Sequence, residues 1–96
     1  YYFLNGGDEE IYIGSADLME RNLDRRVEVL TPVHDADIRV HLRDVVLAAL
    51  LDDTHRARQL LDDGTYAPVV PAPGQPAVNS QQVLLDYYTS HAGAAL

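Results

Sequence analysis

The stretch YYFLNGGDEEIYIGSADLMERNLDRRVEVLTPV, residues 1–33, carries the strongest fold signals in the chain. Aromatic and β-branched residues are concentrated in Tyr1–Leu4 and Glu10–Ile13, and such residues favour strands. Between them lies Asn5-Gly6-Gly7-Asp8, whose two glycines can adopt the positive φ angles of a tight turn. The pattern predicts a β-hairpin at the start of the chain.

The rest of the stretch predicts a loop and a third strand. Gly14-Ser15 ends the hairpin, and residues 16–22 are expected to form a loop or a short helical turn. From Arg26 to Leu30, Val27 and Val29 alternate with polar side chains, which is the period of a half-buried strand. Pro32 is expected to stop that strand because it has no N–H for the ladder.

Helical periods follow the strands, so the sequence predicts an α+β fold, part of a larger α/β sheet. The three predicted helices span about Asp37–Leu51, Thr54–Leu61 and Asn79–His91. Gly64 is expected to end the second helix, and Gln82 to pair with Asn79 in a capping box at the start of the third. Pro68–Pro76 is expected to be irregular.

Composition limits the choice of function. The 96 residues suffice for one small domain, and the formal charge of −8 argues against general binding to nucleic acid or anionic membranes. There is no cysteine, which excludes disulfides, and no apolar run is long enough to span a bilayer. The chain begins within an aromatic strand and without Met, so we expect a single-domain fragment, residues 1–96, from the C-terminal part of a longer protein.

Three of the seven arginines, Arg21, Arg25 and Arg26, lie within six positions. Guanidinium groups present planar donors that match phosphate oxygens, and the Ser15 hydroxyl and the backbone after Gly14 could add further donors. If Arg25 and Arg26 lie in a strand, they face opposite sides. Local pattern alone leaves two interpretations open: a phosphate site, or salt bridges to neighbouring acidic residues. Those acidic neighbours are Glu20, Asp24 and Glu28.

The remaining chemistry-bearing residues are expected to be structural. The histidines at positions 34, 41, 55 and 91 form no compact metal motif and are predicted to lie on the surface or on helix faces. Asp52-Asp53 and Asp62-Asp63 are interpreted as helix ends rather than as Mg²⁺ ligands. No metal site is predicted in the chain.

Residues 1–33 resemble the C-terminal catalytic region of bacterial polyphosphate kinases. That family has an aromatic strand, Asn-Gly-Gly, a second strand and then Ser-Ala-Asp-(Trp/Leu)-Met-x-Arg-Asn-(Leu/Ile)-Asp-x-Arg-(Val/Ile)-Glu-Val, which residues 15–29 match. Asp63-Gly64-Thr65-Tyr66 and Asn79-Ser80-Gln81 are similar to its closing segments, although Ala67-Pro68 replaces the basic residues that often follow the tyrosine. The resemblance implies a phospholipase D-like fold for the whole catalytic half.

The resemblance also implies an activity, namely reversible transfer of the ATP γ-phosphate to inorganic polyphosphate through a phosphohistidine. Both active-site histidines of the family precede the segment that matches Tyr1, so no catalytic residue is expected within this chain, and the isolated chain is predicted to be inactive. ATP and ADP are the expected nucleotide substrates, and the Mg²⁺ ligands are expected upstream. The expected partners are polyphosphate and the rest of the same polypeptide, in a homo-oligomer. The expected location is the cytoplasm, or the periphery of the inner membrane.

Matched to the motif, Arg26, Arg21, Ser15 and Asn22 are the predicted phosphate contacts, with Arg26 foremost. For Arg21, a structural ion pair with Asp17 or Asp24 stays open. Glu28 is expected to orient an active-site histidine or, equally, to pair with an arginine. Two alternative functions remain: a phospholipase D-like phosphodiesterase, which Gly14-Ser15-Ala16-Asp17 alone would permit, and a non-catalytic oligomerisation or interaction module built on the helices.

Overall fold

The computed structural model describes residues 1–93 and divides the chain into two compact units, residues 1–40 and 41–96, each of which is considered by itself. The α+β class predicted from the sequence is confirmed, whereas a single domain over residues 1–96 stays a prediction. Among the described residues, Ile11 in the first unit and Ala49 in the second are the buried apolar side chains. No described helix is long and apolar enough to cross a membrane.

The first unit is built on a three-stranded antiparallel sheet in the order β1-β2-β3. Strands β1 (Tyr2–Phe3) and β2 (Glu10–Gly14) form the predicted hairpin, with Phe3 opposite Glu10. A short 3₁₀ turn, Asn5–Gly7, joins them, and Gly7 at φ 108° has a conformation that side chains rarely adopt. The hairpin prediction is therefore confirmed.

The third strand, β3, spans Leu30–Pro32 rather than the predicted Arg26–Leu30. Its residues Leu30 and Pro32 pair with Gly14 and Tyr12 of β2. Pro32 ends it as expected, and its missing N–H is tolerated because β3 lies at the edge of the sheet. The prediction placed the strand too early because it followed the alternation of Val27 and Val29. In the structure residues 25–29 are irregular, and pairing with β2 begins only at Leu30.

Between β2 and β3 the chain forms a short helix, α1, at Glu20–Asp24. The prediction allowed a loop or a short helical turn over residues 16–22, and the helix begins within that range and ends two residues beyond it. After β3, Asp35 accepts the Ile38 backbone N–H at 3.0 Å and so caps the start of α2 (Ala36–His41).

The predicted helix over about Asp37–Leu51 is confirmed, although its middle is a π-helix, Leu42–Leu47, before α3 (Ala48–Leu51). The predicted helix over Thr54–Leu61 is wrong, because Arg58–Leu60 is strand β4, paired with β5 (Tyr66–Pro68). His55 therefore precedes a strand and does not lie on a helix.

The physical reason for this error lies in the backbone donors. The Asp53 carboxylate accepts the N–H groups of His55, Arg56 and Ala57, so these groups bond outside any helical ladder. Asp63 accepts the Thr65 N–H and hydroxyl in the β4–β5 turn, so Asp62-Asp63 marks a hairpin turn rather than a helix end. Gly64, at φ 83°, serves that same turn.

The last helix, α4, spans Ser80–Ser90 after an irregular segment, residues 69–79. The predicted irregular region Pro68–Pro76 lies in it apart from Pro68, which is the last residue of β5. The Asn79 side chain accepts from the N–H groups of Gln81 and Gln82, which confirms the predicted N-cap. The reciprocal half of the capping box is wrong, since the Gln82 amide donates to Asp86 at 2.8 Å, one turn further along the helix.

Candidate phosphate-binding site

The candidate site is the segment from Gly14 to Glu28, which leaves β2, forms α1 and returns to β3. Its two ends meet at Gly14. A Cβ atom at Gly14 would lie 2.7 Å from the Val29 carbonyl oxygen and 2.7 Å from a methyl group of Leu30, so only glycine permits this approach. The close contact holds the segment as a loop beside the sheet, with Ser15 exposed directly after the strand.

Asn22 on α1 is the buried polar side chain of this loop, at 6% exposure. With its amide oriented to match its neighbours, Asn22 donates to Glu28 Oε1 at 3.1 Å and accepts from the Asp17 backbone N–H at 3.2 Å. Asn22 thus connects the start of the loop with its end. The same contact keeps the half-buried Glu28 carboxylate in place.

The three arginines of the loop are exposed. Arg25 forms an ion pair with Glu20 at 3.4 Å, with both side chains about three-quarters exposed (76% and 73%). Within residues 1–93, Arg21 pairs with neither Asp17 nor Asp24, and Arg26 forms no ion pair. The open alternative of a buried Arg21 salt bridge is therefore not what the structure shows.

The strand on which the predicted facing of Arg25 and Arg26 depended is absent, because residues 25–29 are irregular. Arg25 is the C-cap of α1, with φ −121° and ψ −7°. Strand alternation therefore cannot separate the two arginines. The contacts of Arg26, Arg21, Ser15 and Asn22 with phosphate stay predictions, as does the role of Glu28 towards a histidine.

Outside the loop, the histidines at positions 34, 55 and 91 are exposed, as predicted. His41 is half-buried, and its Nε2 lies 2.6 Å from the Tyr88 hydroxyl. Among the described residues, no group of three or more His, Asp or Glu side chains could hold a metal ion.

Sequence reasoning missed the Asn22–Glu28 contact, because side chains six positions apart do not meet within one helix or one strand and come together here only through the turn of the loop. It also treated Asp53 only as the end of a helix. Asp53 is 5% exposed, and besides three backbone N–H groups it accepts the Ser80 N–H at 2.8 Å and hydroxyl at 2.6 Å. The Ser80 hydroxyl, followed by the backbone donors, holds the pKa of Asp53 far below its ordinary value.

Comparison with known proteins gives a consistent picture. The family model of the polyphosphate kinase C-terminal domain 2 matches residues 1–81. The chain is 51% identical over 85 residues to the polyphosphate kinase of Prosthecochloris aestuarii, covering 88% of this chain and 12% of that protein. It is 48% identical over 83 residues to the polyphosphate kinase of Synechocystis sp., covering 86% of this chain and 11% of that protein.

A solved structure agrees with the sequence matches. The crystal structure of polyphosphate kinase from Porphyromonas gingivalis aligns with a TM-score of 0.78 and 31% identity, over 93% of this chain and 13% of that one. The match bears out the predicted fold class, an α+β part of a phospholipase D-like domain. The chain spans about one eighth of the length of the relatives it matches. With a family model over most of its residues and relatives at up to 51% identity, the chain belongs to the polyphosphate kinase family, in the C-terminal domain 2 of those proteins.

Proposed function

We propose that this chain is part of a polyphosphate kinase and contributes phosphate-binding arginines to a site that other segments of the same polypeptide complete. The reaction is reversible transfer of the ATP γ-phosphate to inorganic polyphosphate through a phosphohistidine outside these residues. The observation that carries the proposal is the loop itself. Three exposed guanidinium groups lie on one short segment of an acidic chain, and two of them have no ion-pair partner within residues 1–93.

Arg26 is the proposed contact to the transferred phosphate. Its position corresponds to the arginine of the Asn-Leu-Asp-x-Arg motif, and its guanidinium group is exposed and not neutralised by the described residues. A guanidinium group stays charged at physiological pH, so it can stabilise negative charge that develops as the phosphoryl group moves. Arg21 and Ser15, which are exposed, are the other proposed contacts of the loop. Asn22 was also predicted as a contact, but its amide is buried between Glu28 and the Asp17 backbone N–H, so it is proposed to hold the loop in shape.

Glu28 is the proposed positioning residue of this loop. Asn22 donates to one of its oxygens and fixes the carboxylate, which leaves the other oxygen available to accept a ring N–H from a histidine. A carboxylate held in this way selects the tautomer and orientation of an imidazole. Glu28 would therefore act through the histidine rather than on the phosphate.

The remaining parts of the proposal concern groups outside the chain. The proposed Mg²⁺ ligands lie on other segments of the polypeptide. The proposed substrates are ATP, ADP and polyphosphate. The proposed full-length protein is a homo-oligomer located in the cytoplasm, or peripherally at the inner membrane.

The test is activity of the full-length polypeptide carrying Arg26→Ala. Loss of a charge-assisted contact that strengthens in the transition state should lower kcat by roughly 30- to 1,000-fold, equivalent to about 2–4 kcal/mol. Arg58→Ala is the matched control, since Arg58 is an exposed arginine on β4. Circular dichroism and thermal unfolding would first show that both variants fold like the wild type.

Four results would contradict the proposal. Full activity of Arg26→Ala would remove Arg26 from the site. Phosphodiester hydrolysis without kinase activity in the wild type would favour the phosphodiesterase alternative, and neither activity would favour an interaction module. Polyphosphate synthesis by residues 1–96 alone would show that the nucleophile does not lie elsewhere, since arginines cannot replace a covalent intermediate.

A further inference from the structure

The loop contains a second arrangement of arginines that the motif comparison does not assign. Arg21 and Arg25 are four residues apart, Arg21 on α1 and Arg25 at its C-cap, and this spacing places side chains on one side of a helix. Both line an open pocket of about 260 Å³, together with Met19 and Glu20. Arg26 is not among the residues that line it. The structure thus groups Arg25 with Arg21 and separates it from Arg26.

The charges in this pocket are incompletely balanced. Two guanidinium groups share it with one carboxylate, and that carboxylate, Glu20, lies 3.4 Å from Arg25 with both side chains mostly exposed. Exposed pairs of this length contribute little and exchange readily. By contrast, Arg43 is held by Asp44 through two hydrogen bonds of 2.6 and 3.0 Å. The Arg21–Arg25 pair is therefore available to an external anion.

Two neighbouring guanidinium groups, each with a planar set of N–H donors, suit an anion that carries several phosphate groups in a row. A single carboxylate or phosphate would satisfy one guanidinium group, whereas successive phosphates of one chain can each accept from a different arginine. We infer that Arg21 and Arg25 form a binding site for the polyphosphate chain, with a role distinct from that of Arg26, and that Glu20 competes with phosphate for Arg25. This inference rests on the proposed kinase function, and it extends the function to how the polymer is held.

The experiment measures steady-state kinetics of the full-length polypeptide with long-chain polyphosphate and ATP varied separately. Arg25→Ala and Arg21→Ala should each raise KM for polyphosphate by roughly 3- to 5-fold, the effect of an exposed charge contact, while KM for ATP stays unchanged. Glu20→Gln should lower KM for polyphosphate, because the competing carboxylate is gone. All three differences should shrink at high salt, since exposed charges are screened. Arg58→Ala is the control that removes one positive charge from the exposed strand β4.

The outcomes separate this inference from the proposed function. A wild type without kinase activity overturns the proposed function. An active wild type whose KM for polyphosphate is unchanged in both Arg25→Ala and Glu20→Gln overturns this inference alone. A rise in KM for both variants would indicate that the Arg25–Glu20 pair is structural, and a rise confined to ATP would assign the pocket to the nucleotide; either result also overturns it.

Discussion

Asn22 shows how one side chain can determine the shape of a loop that other residues use for chemistry. Its amide is buried and satisfied on both sides, by the Glu28 carboxylate and the Asp17 backbone N–H. Removing one partner of a buried hydrogen bond destabilises the fold by more than the bond itself contributes. The remaining polar group is then buried without water or another hydrogen-bond partner. The family motif contains this asparagine next to Arg21, and in the structure Asn22 joins the two ends of the loop.

We therefore expect Asn22→Ala to lower the free energy of unfolding by about 1–3 kcal/mol, as Glu28 and the Asp17 N–H lose their common partner. Urea unfolding followed by circular dichroism measures the change. Gln59→Ala, at an exposed amide on β4, is the control and should stay within about 0.5 kcal/mol of the wild type. If the two variants were equally stable, the Asn22 amide would not be holding the loop.

At the scale of elements, Asp53 is the residue on which the second unit depends most. Its carboxylate joins the end of α3, the segment before β4 and the first residue of α4 through five hydrogen bonds. Val78 adds a further connection, because its carbonyl accepts the N–H groups of Thr54 and His55 and its own N–H donates to the Thr54 hydroxyl. These hydrogen bonds connect the segment between α3 and β4 with the start of α4.

The depressed pKa of Asp53 predicts the direction of a pH effect. The folded state favours the charged carboxylate, so its contribution is fully present above the ordinary pKa of 3.8 and is lost as the pH falls through the lower folded value. Asp53→Asn should therefore lower the melting temperature by several degrees at pH 7. The gap between the variant and the wild type should narrow as the pH falls from about 4 towards 2.

Thermal unfolding across this pH range provides the measurement, with Asp63→Asn as the control. Asp63 accepts only from Thr65 in an exposed turn, so its replacement should have a smaller effect at pH 7. Because the other carboxylates also titrate in acid, the informative quantity is the difference between wild type and variant at each pH. Parallel curves for wild type and Asp53→Asn would contradict the assignment.

The contacts of Asp53 also explain which parts of the fold could be predicted from the sequence and which could not. The first hairpin, the helix over residues 36–51 and the Asn79 cap depend on neighbours within a few positions, and local pattern identified them. The Thr54–Leu61 helix failed because Asp53 bonds to Ser80, 27 residues away, and local pattern contains no signal for that distance. The site shows the same division: the motif identified the arginines, whereas the pocket shared by Arg21 and Arg25 required the structure.

At the scale of the whole molecule, the most informative feature is apolar surface in the first unit. The alternation of Val27 and Val29 predicts one buried face, yet these side chains are 99% and 72% exposed, and Leu18 is 80% exposed. All three lie on one segment of the chain, and exposed apolar side chains on one segment are typical of a surface that packs against another part of a protein. The proposal that this chain is part of a larger catalytic domain accounts for these exposed side chains, because other segments of that domain would bury them.

The effect of Val27→Asp on the melting temperature can be compared between the 96-residue chain and the full-length polypeptide. In the 96-residue chain the substitution should leave the melting temperature almost unchanged, since the side chain already faces water. In the full-length polypeptide it should lower the melting temperature by several degrees, because burying an unpaired carboxylate is costly. Val70→Asp, at a side chain 73% exposed in the second unit, is the matched control. A neutral Val27→Asp in both forms would mean that the surface stays open, and the exposed valines would need another explanation.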